Sequence, residues 1–314
     1  MEASAPSPAP LRVGVVGAGY AGTTHVTSFA SVPGVSVVAL AGKEPRRLAD
    51  LGAEHGIEHL LPDWRDLVAL DGLDVVSVAT PNDLHHPVTM AALRAGRHVL
   101  CEKPLALTTA QAREMVAASR AAGRVLEVAF NHRRRADVQW ARRYVESVGL
   151  GRVYHVRASW KRRSGIPGLT SWFTSPTLAG GGALIDLGPH VLDIVLHLLG
   201  GARVVAVSAV AHGELGRAGY GAMDRTEQMA GDGAFDVEDL VSALLRLEDG
   251  ASVALEISWA GHTVDDEDVS IEPSGPGAGL RRFGPRNRRR DTRRVARGCA
   301  GRPSSIPGGG RAKA

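Results

Sequence analysis

The chain has 314 residues, 44% of them apolar, more than one hydrophobic core usually holds and enough to fill two domains. Its two cysteines, Cys101 and Cys299, have neither disulfide-framework nor zinc-site spacing, so no metal centre is expected and a reducing, cytoplasmic compartment is. The net charge of +4 does not signal nucleic-acid binding, because residues 273–314 hold 12 of the 37 Lys and Arg and only one of the 33 acids, which leaves the body acidic.

Met1 to Pro10 reads as a disordered leader without the basic and apolar regions of a secretion signal. No later segment reads as a membrane span, and no membrane partner is expected. Leu11 to Val16 is an apolar run that feeds Gly17-Ala18-Gly19-Tyr20-Ala21-Gly22 and then a helical stretch to about Ala30. Glycines so placed have separate duties: a tight turn at Gly17, backbone approach to a pyrophosphate at Gly19, and helix-on-strand packing at Gly22. Gly17, Gly19, Tyr20, Ala21 and Gly22 are therefore expected to hold a dinucleotide. A second strand, Val35 to Leu40, runs into Ala41-Gly42-Lys43-Glu44-Pro45-Arg46-Arg47 with no acid at its tip. Lys43, Arg46 and Arg47 offer charge to a 2′-phosphate, so NADP is favoured over NAD. The alternative is a solvated basic first turn with Glu44 taking the ribose.

Asp63 to Leu70 reads as a short helix with an Asp cap, and Asp74 to Ala79 as a buried strand entering Thr80-Pro81-Asn82-Asp83-Leu84-His85-His86. That loop lies on the cofactor side, where Thr80, Asn82 and His85 are candidate contacts, while His86 reads as solvated. Val88 to Ala95 is a helix ending at Gly96, and Arg97 to Cys101 a strand that delivers Glu102-Lys103-Pro104. Ligands of open α/β sheets sit beyond the carboxyl ends of the strands, so Lys103 is the first catalytic candidate; the alternative is a lysine that snorkels from a loop. Thr108 or Thr109 caps a helix that stops at Gly123, and Val125 to Phe130 is a further strand. Alternating strands and helices predict a doubly wound parallel sheet.

Gly17 to Gly22, Thr80-Pro81-Asn82, Glu102-Lys103-Pro104, Asn131-His132-Arg133-Arg134, Ser171-Trp172-Phe173 and the run from Gly180 to His190 together resemble the Gfo/Idh/MocA oxidoreductases, which include glucose-fructose oxidoreductase and inositol dehydrogenase. The resemblance covers residues 11–272. It implies a Rossmann domain over 11–133, with Glu102 and Lys103 beside the cofactor. It also implies an α+β domain over 134–272 whose mostly antiparallel sheet builds dimers or tetramers. The local pattern agrees: Ala136 to Val148 reads as a helix, and Gly151 to Trp160, Val204 to Ala211, Asp239 to Leu247 and Ser252 to Ala260 as strands. Glu248-Asp249-Gly250-Ala251 is a hairpin signal, and Gly213 to Gly233 reads as a loop.

Asp186, His190, Asp193 and His197 share one face of a helix ending near Leu199, opposite Leu187, Val191, Ile194 and Val195, with Pro189 placed early enough to be harmless. On spacing alone this is a solvated face with two ion pairs. The resemblance instead gathers Lys103, Asp186 and His190 in the cleft between domains. There His190 is the general base, Lys103 steadies the oxygen, and Asp186 orients or relays. Asp193 is expected to contact the substrate or a residue that does, and His197 to be structural; Lys161, Arg162, Arg163 and Trp172 can meet substrate groups or be solvated surface. The expected reaction interconverts a secondary hydroxyl and a ketone on a polyhydroxylated sugar or cyclitol by hydride transfer to nicotinamide. NAD-assisted glycoside hydrolysis is a related alternative.

From Pro273 to Ala314 the chain is rich in Arg, Gly and Pro without periodicity and is expected to be a disordered basic tail. Family members continue instead through a motif like Phe-Gly-Thr-Arg-Gly-Gly-Ala. Codons for Ser274 to Gly279 can be regrouped by one base to encode it, so a frameshift near residue 273 is expected, leaving the sheet without its last strands. The rival readings are a catalytically impaired NADP-binding product and a basic-tail module that touches nucleic acid or an acidic partner.

Overall fold

A computed structural model describes residues 9–147, 150–223, 235–261, 263–276 and 286–287. Six short, Val-rich strands form a parallel sheet: β1 (Leu11–Val16), β2 (Val35–Ala41), β3 (His59–Leu61), β4 (Val75–Val78), β5 (His98–Cys101) and β6 (Leu126–Val128), in the order β3-β2-β1-β4-β5-β6. Both faces of such a sheet are covered, which is why its central strands are continuous apolar runs rather than alternating ones. The crossovers are α1 (Tyr20–Ala30), α2 (Pro45–His55), α3 (Trp64–Ala69), α4 (His85–Arg94) and α5 (Thr109–Ala122). Their ends follow local chemistry. The Asp63 carboxylate accepts the N–H of Arg65, the Thr108 hydroxyl accepts that of Gln111, and Gly123 closes α5 in the left-handed conformation at φ 60°. Strand order reverses between β1 and β4, which opens the ligand crevice there, flanked by Gly17–Gly22 on one side and the loop after Val78 on the other.

Three details differ from the sequence reading. β3 is only three residues long and carries no periodic signal of its own; it exists because β2 offers it a partner. Lys43 to Arg47 leads into a helix, with Glu44 as N-cap and Pro45 at the first position. α4 begins at His85 rather than Val88, since the 3₁₀ turn Asn82–Leu84 feeds straight into it.

The second half of the chain contributes α6 (Ala136–Ser147), β7 (His155–Arg162), α7 (Pro176–Ala179), α8 (Ala183–Leu198), β8 (Val204–His212), α9 (Glu214–Arg217), β9 (Leu240–Leu247), β10 (Ser252–Ser258), β11 (Glu267–Ser274) and β12 (Arg286–Asn287). The sheet order is β12-β11-β7-β10-β9-β8, antiparallel throughout except for the parallel pair β7 and β10. β9 and β10 form the expected hairpin. α8 covers one face, with Leu187, Val191, Ile194, Val195 and Leu198 packed among Val156, Ala158, Val253, Leu255 and Ile257. Each such buried aliphatic side chain is worth about 2 kcal/mol.

Entry into α8 explains the glycine run. A Cβ on Gly182 would lie 2.0 Å from the Glu238 carbonyl oxygen, so only glycine allows that approach. Glu238 then caps the helix from 50 and more residues away: its carboxylate accepts the N–H groups of Gly182 and Leu184, and its carbonyl that of Ala183.

Several expectations for this half are corrected. Pro189 lies inside α8, not in its first turn, so it withholds the N–H that Ile185 would otherwise receive. The segment Pro176–Leu198, which takes in α7 and α8, is long and apolar enough by composition to cross a membrane, and half of its most apolar window is buried inside the fold. The strand expected from Gly151 begins at His155. Pairing continues past Glu272, because β11 runs to Ser274 and meets Arg286–Asn287. The rest of the expected disordered tail lies outside the described residues, as does most of the Gly213–Gly233 loop beyond the short α9.

Candidate active site

The glycine loop leaves room for phosphate. Gly17 has φ +107°, and a Cβ there would lie 2.2 Å from the Ala79 carbonyl oxygen; a Cβ on Gly22 would lie 1.8 Å from the Gly17 oxygen. Gly19 is the opposite case. Nothing lies within 4 Å of its Cβ position, and as N-cap of α1 it brings no side chain to occupy the helix's free N–H groups. An open helix N-terminus with backbone approach is what a pyrophosphate requires, so these residues fit a dinucleotide. Tyr20, 80% exposed, and Ala21 open α1 beside it. Lys43 and Arg46 stand exposed past the tip of β2.

One strand over, β5 ends at Cys101 and places Glu102 and Lys103 at the crevice; the Lys103–Pro104 peptide is cis. Lys103 Nζ donates to Asp186 Oδ1 at 2.8 Å and to the Asp186 carbonyl at 3.0 Å. The other Asp186 oxygen accepts from Trp259 Nε1 at 2.8 Å. Burial by itself would push the Asp186 carboxyl up. The Lys103 charge and the hydrogen bonds from Lys103 and Trp259 outweigh it and hold the acid below its ordinary value. Lys103 and Asp186 are thus a largely buried ion pair that links the end of β5 to α8.

One turn along α8, the His190 ring packs edge-on to His132, with centroids 4.6 Å apart, and lies 5.7 Å from Trp160. Its Nδ1 is buried with no hydrogen-bond partner. Desolvation above all, then the charges of Lys103 and His132, push its pKa down to about 3. The unfolded imidazole takes up its proton near pH 6.5 and the folded one only near 3, so protonation favours unfolding between those values. The stabilising contribution of neutral His190 is complete above about pH 6.5 and is lost as pH falls towards 3. Urea denaturation from pH 7.5 to 4.5 is expected to show a shallower loss of stability in His190→Gln than in the parent; parallel curves would contradict it.

The remaining expected site residues divide. Arg162 reaches the site: its Nε donates to Glu267 Oε1 at 2.8 Å, beside the indole N–H of Trp160 on the same oxygen, and its charge is felt at Asp186. Trp172 is stacked on Phe173 at 3.8 Å in a 3₁₀ turn. Asp193 is 6% exposed, and both its carboxylate oxygens accept from Arg133 Nε at 2.7 Å, which engages it with the Asn131–Arg134 turn. The expected ion pairs within the helix face are likewise absent among the described residues, since Asp186 pairs with Lys103 and His197 receives Arg142. The face is not solvated; it docks the helix against the first half of the chain.

Two residues of the loop after β4 also have protein partners. Asn82 is buried and donates from Nδ2 to the Ala179 carbonyl at 2.8 Å, tying that loop to α7. His85 is fully buried between the carbonyls of Pro104 at 2.7 Å and Thr80 at 3.0 Å, where it braces the two loops. Thr80 keeps a buried hydroxyl without a partner. Glu102 accepts from His25 Nε2 at 3.0 Å through one oxygen and from the Lys103 N–H at 3.1 Å through the other.

Sequence reasoning missed His25, Trp160, Trp259 and Glu267 altogether, and quoted His132 without giving it a place in the site. No local motif marks them. Trp259 follows the end of β10, and Trp160 and Glu267 meet only because β7 and β11 pair.

The chain matches two family models: the oxidoreductase family with an NAD-binding Rossmann fold over residues 11–130, and the GFO/IDH/MocA C-terminal domain over residues 138–273. It is 33% identical over 289 residues to a D-glucoside 3-dehydrogenase of Escherichia coli, spanning 89% of this chain and 79% of that protein. It is 31% identical over 268 residues to a levoglucosan dehydrogenase of Pseudarthrobacter phenanthrenivorans, spanning 80% and 68%. Among solved structures it resembles GenD2 from gentamicin A biosynthesis in complex with NAD, with TM-score 0.74, 30% identity and coverage of 89% and 74%. A levoglucosan dehydrogenase complex with NADH and levoglucosan gives TM-score 0.73 at 30% identity over 85% and 71%. With the glycine loop, the lysine at the end of β5 and both halves of the family pattern present, the chain belongs to the Gfo/Idh/MocA oxidoreductases, NAD(P)-dependent dehydrogenases acting on CH–OH groups.

Proposed function

We propose that this protein oxidises one secondary hydroxyl of a neutral polyhydroxylated sugar or cyclitol to the ketone, or runs the reverse, at a site made of Lys103, Asp186 and His190. The observation that carries it is the convergence of a buried Lys103–Asp186 pair with an imidazole whose Nδ1 has no partner. The nicotinamide, when bound, supplies the hydride acceptor. Lys103, held charged and aimed by Asp186, donates a hydrogen bond to the substrate oxygen and stabilises the alkoxide as it forms. His190, whose proton affinity burial and the neighbouring Lys103 and His132 lower, is neutral at neutral pH and takes the hydroxyl proton, while Lys103 stabilises the oxygen it leaves. Trp160 and Arg162 wall the substrate side.

A neutral substrate is supported by the charges around the site. Lys103 is paired with Asp186, Arg162 with Glu267 and Arg135 with Asp137, which leaves these cations already matched. For the coenzyme we infer NADP, on the exposed Lys43 and Arg46 and the glycine at position 42. NAD is the second reading. A Glu44 carboxylate oxygen lies 3.4 Å from the Cβ position of Gly42, close enough to the loop to receive a ribose hydroxyl, and GenD2 and levoglucosan dehydrogenase are seen with NAD and NADH. The test is one panel of sugars and cyclitols, followed by reduced-nicotinamide absorbance with each coenzyme. Turnover is expected with a neutral sugar or cyclitol, and kcat/KM at least about tenfold higher with NADP than with NAD. A clear NAD preference overturns the coenzyme reading, and no turnover across the panel overturns the dehydrogenase reading of this chain.

The domain division after residue 133 rests on the change of sheet, and the cytoplasmic placement on the free, buried Cys101. A homo-oligomer is supported by the exposed apolar side chains of Val207, Val210 and Leu244 on the second sheet. A catalytically impaired coenzyme-binding product is the rival reading, favoured by the aperiodic, Arg-, Gly- and Pro-rich composition of residues 273–314. Its mark is coenzyme binding without turnover. A frameshift near residue 273 is part of that reading, and an open sister frame in the gene that resumes the family pattern is its test.

A further inference from the structure

Beneath the crevice lies a buried polar chain to which the proposed chemistry assigns no task. His25 projects from the inner face of α1, three residues after Gly22, and is 8% exposed. Its Nδ1 lies 2.6 Å from the hydroxyl of Ser77 on β4, and its Nε2 lies 3.0 Å from Glu102 Oε1. An ionised Glu102 can only accept, so Nε2 carries a hydrogen and donates to it. The second Glu102 oxygen accepts the backbone N–H of Lys103. Burial works to raise the Glu102 carboxyl, but the hydrogen bond and charge of His25, together with Lys103, hold it below its ordinary value.

Ser, His and carboxylate in series also form the hydrolytic triad, so that role needs weighing. Ser77 is 0% exposed within the parallel sheet and cannot meet a substrate. What the series can do is mechanical. Three neighbouring elements, α1, β4 and the end of β5, are locked at one point, and that point carries the backbone of Lys103. Without the imidazole, Glu102 would be a partly buried carboxylate with one side unpaired, free to rotate away from the Lys103 N–H.

We propose that His25 is a positioning residue for Lys103: it pins the Glu102 carboxylate against the Lys103 backbone, and does so from the helix whose N-terminus is offered to the coenzyme phosphates. Coenzyme docking and lysine placement therefore share one rigid part. The inference rests on the role proposed for Lys103, and its test includes a measurement that needs no turnover.

In the full-length protein, His25→Ala is expected to lower kcat about tenfold or more while sugar KM and coenzyme Kd move less than about threefold, since a small misplacement at the reacting centre acts chiefly on the chemical step. His25→Gln, which keeps a side-chain N–H for Glu102, is expected to recover most of that loss. Glu102→Gln should repeat the defect, and the double variant His25→Ala/Glu102→Gln should be no worse than the poorer single one, as parts of one unit behave. Independently of activity, the rate at which trinitrobenzenesulfonate modifies Lys103, followed by peptide mass spectrometry, should rise several-fold in His25→Ala. Parental kcat in His25→Ala, no rescue by Gln, multiplying losses, or an unchanged labelling rate each overturns the proposal. If His25→Ala does not fold, the Gln and Glu102 variants carry the same comparison. If the parent turns over no sugar, the function reading fails while the labelling rate still decides this one.

Discussion

Lys103→Met is expected to reduce kcat by about a thousandfold or more, with the coenzyme dissociation constant within about threefold of the parent. The reason lies in what Nζ does at once: among the described residues it is the ammonium bonded to the Asp186 side chain, and it is the donor available to an alkoxide in a site where charge is poorly screened. Removing it also strands Asp186. Both partners are about 15% exposed as side chains, and a buried carboxylate that loses its cation costs about 3 kcal/mol of stability. A stability control is therefore built into the test. Lys103→Met/Asp186→Asn removes both charges and should recover most of the lost stability while remaining inactive. Activity in folded Lys103→Met within tenfold of the parent would remove the mechanism.

Gly19→Val is expected to weaken coenzyme binding about a hundredfold, equivalent to about 3 kcal/mol, with little change in melting temperature. Gly19 has φ −68° and ψ −170°, extended backbone that valine adopts, and its Cβ position has no neighbour within 4 Å. The added methyl groups therefore meet nothing in the protein and occupy the space that phosphate needs at the head of α1. Gly22 is the contrast. There a Cβ would stand 1.8 Å from the Gly17 oxygen, and Gly22→Ala is hindered by the fold itself. Titration of the coenzyme by fluorescence, beside thermal melts, separates the two. Unchanged affinity in Gly19→Val would mean that the glycine loop does not face the phosphates.

Where a local rule governs, the sequence was a sound guide. Asp63 caps its helix as read, Thr108 is the cap of the two threonines offered, Gly123 stops α5 as read, and the strand-loop-helix around Gly17–Gly22 has the backbone its glycines imply. The errors came where a polar side chain had two possible partners at similar reach. Spacing puts Asp186 and His190 one turn apart, and an ion pair along the helix is what that spacing suggests. Lys103, 83 residues away, takes the aspartate instead. Asn82, His85 and Asp193, read as ligand contacts from their place in the chain, also have protein partners that spacing does not show: Ala179, Thr80 with Pro104, and Arg133.

The sequence by itself determined the parallel sheet, the phosphate loop at Gly17–Gly22 and the candidacy of Lys103, because turn geometry, apolar runs and strand ends depend on neighbours a few residues away. The tertiary structure alone decided which charges meet. It set Lys103 against Asp186, stripped His190 of water until its pKa fell to about 3, and ran His25 to Glu102 across 77 residues. Those outcomes depend on desolvation and on distances between elements far apart in the chain, and one-dimensional spacing carries neither.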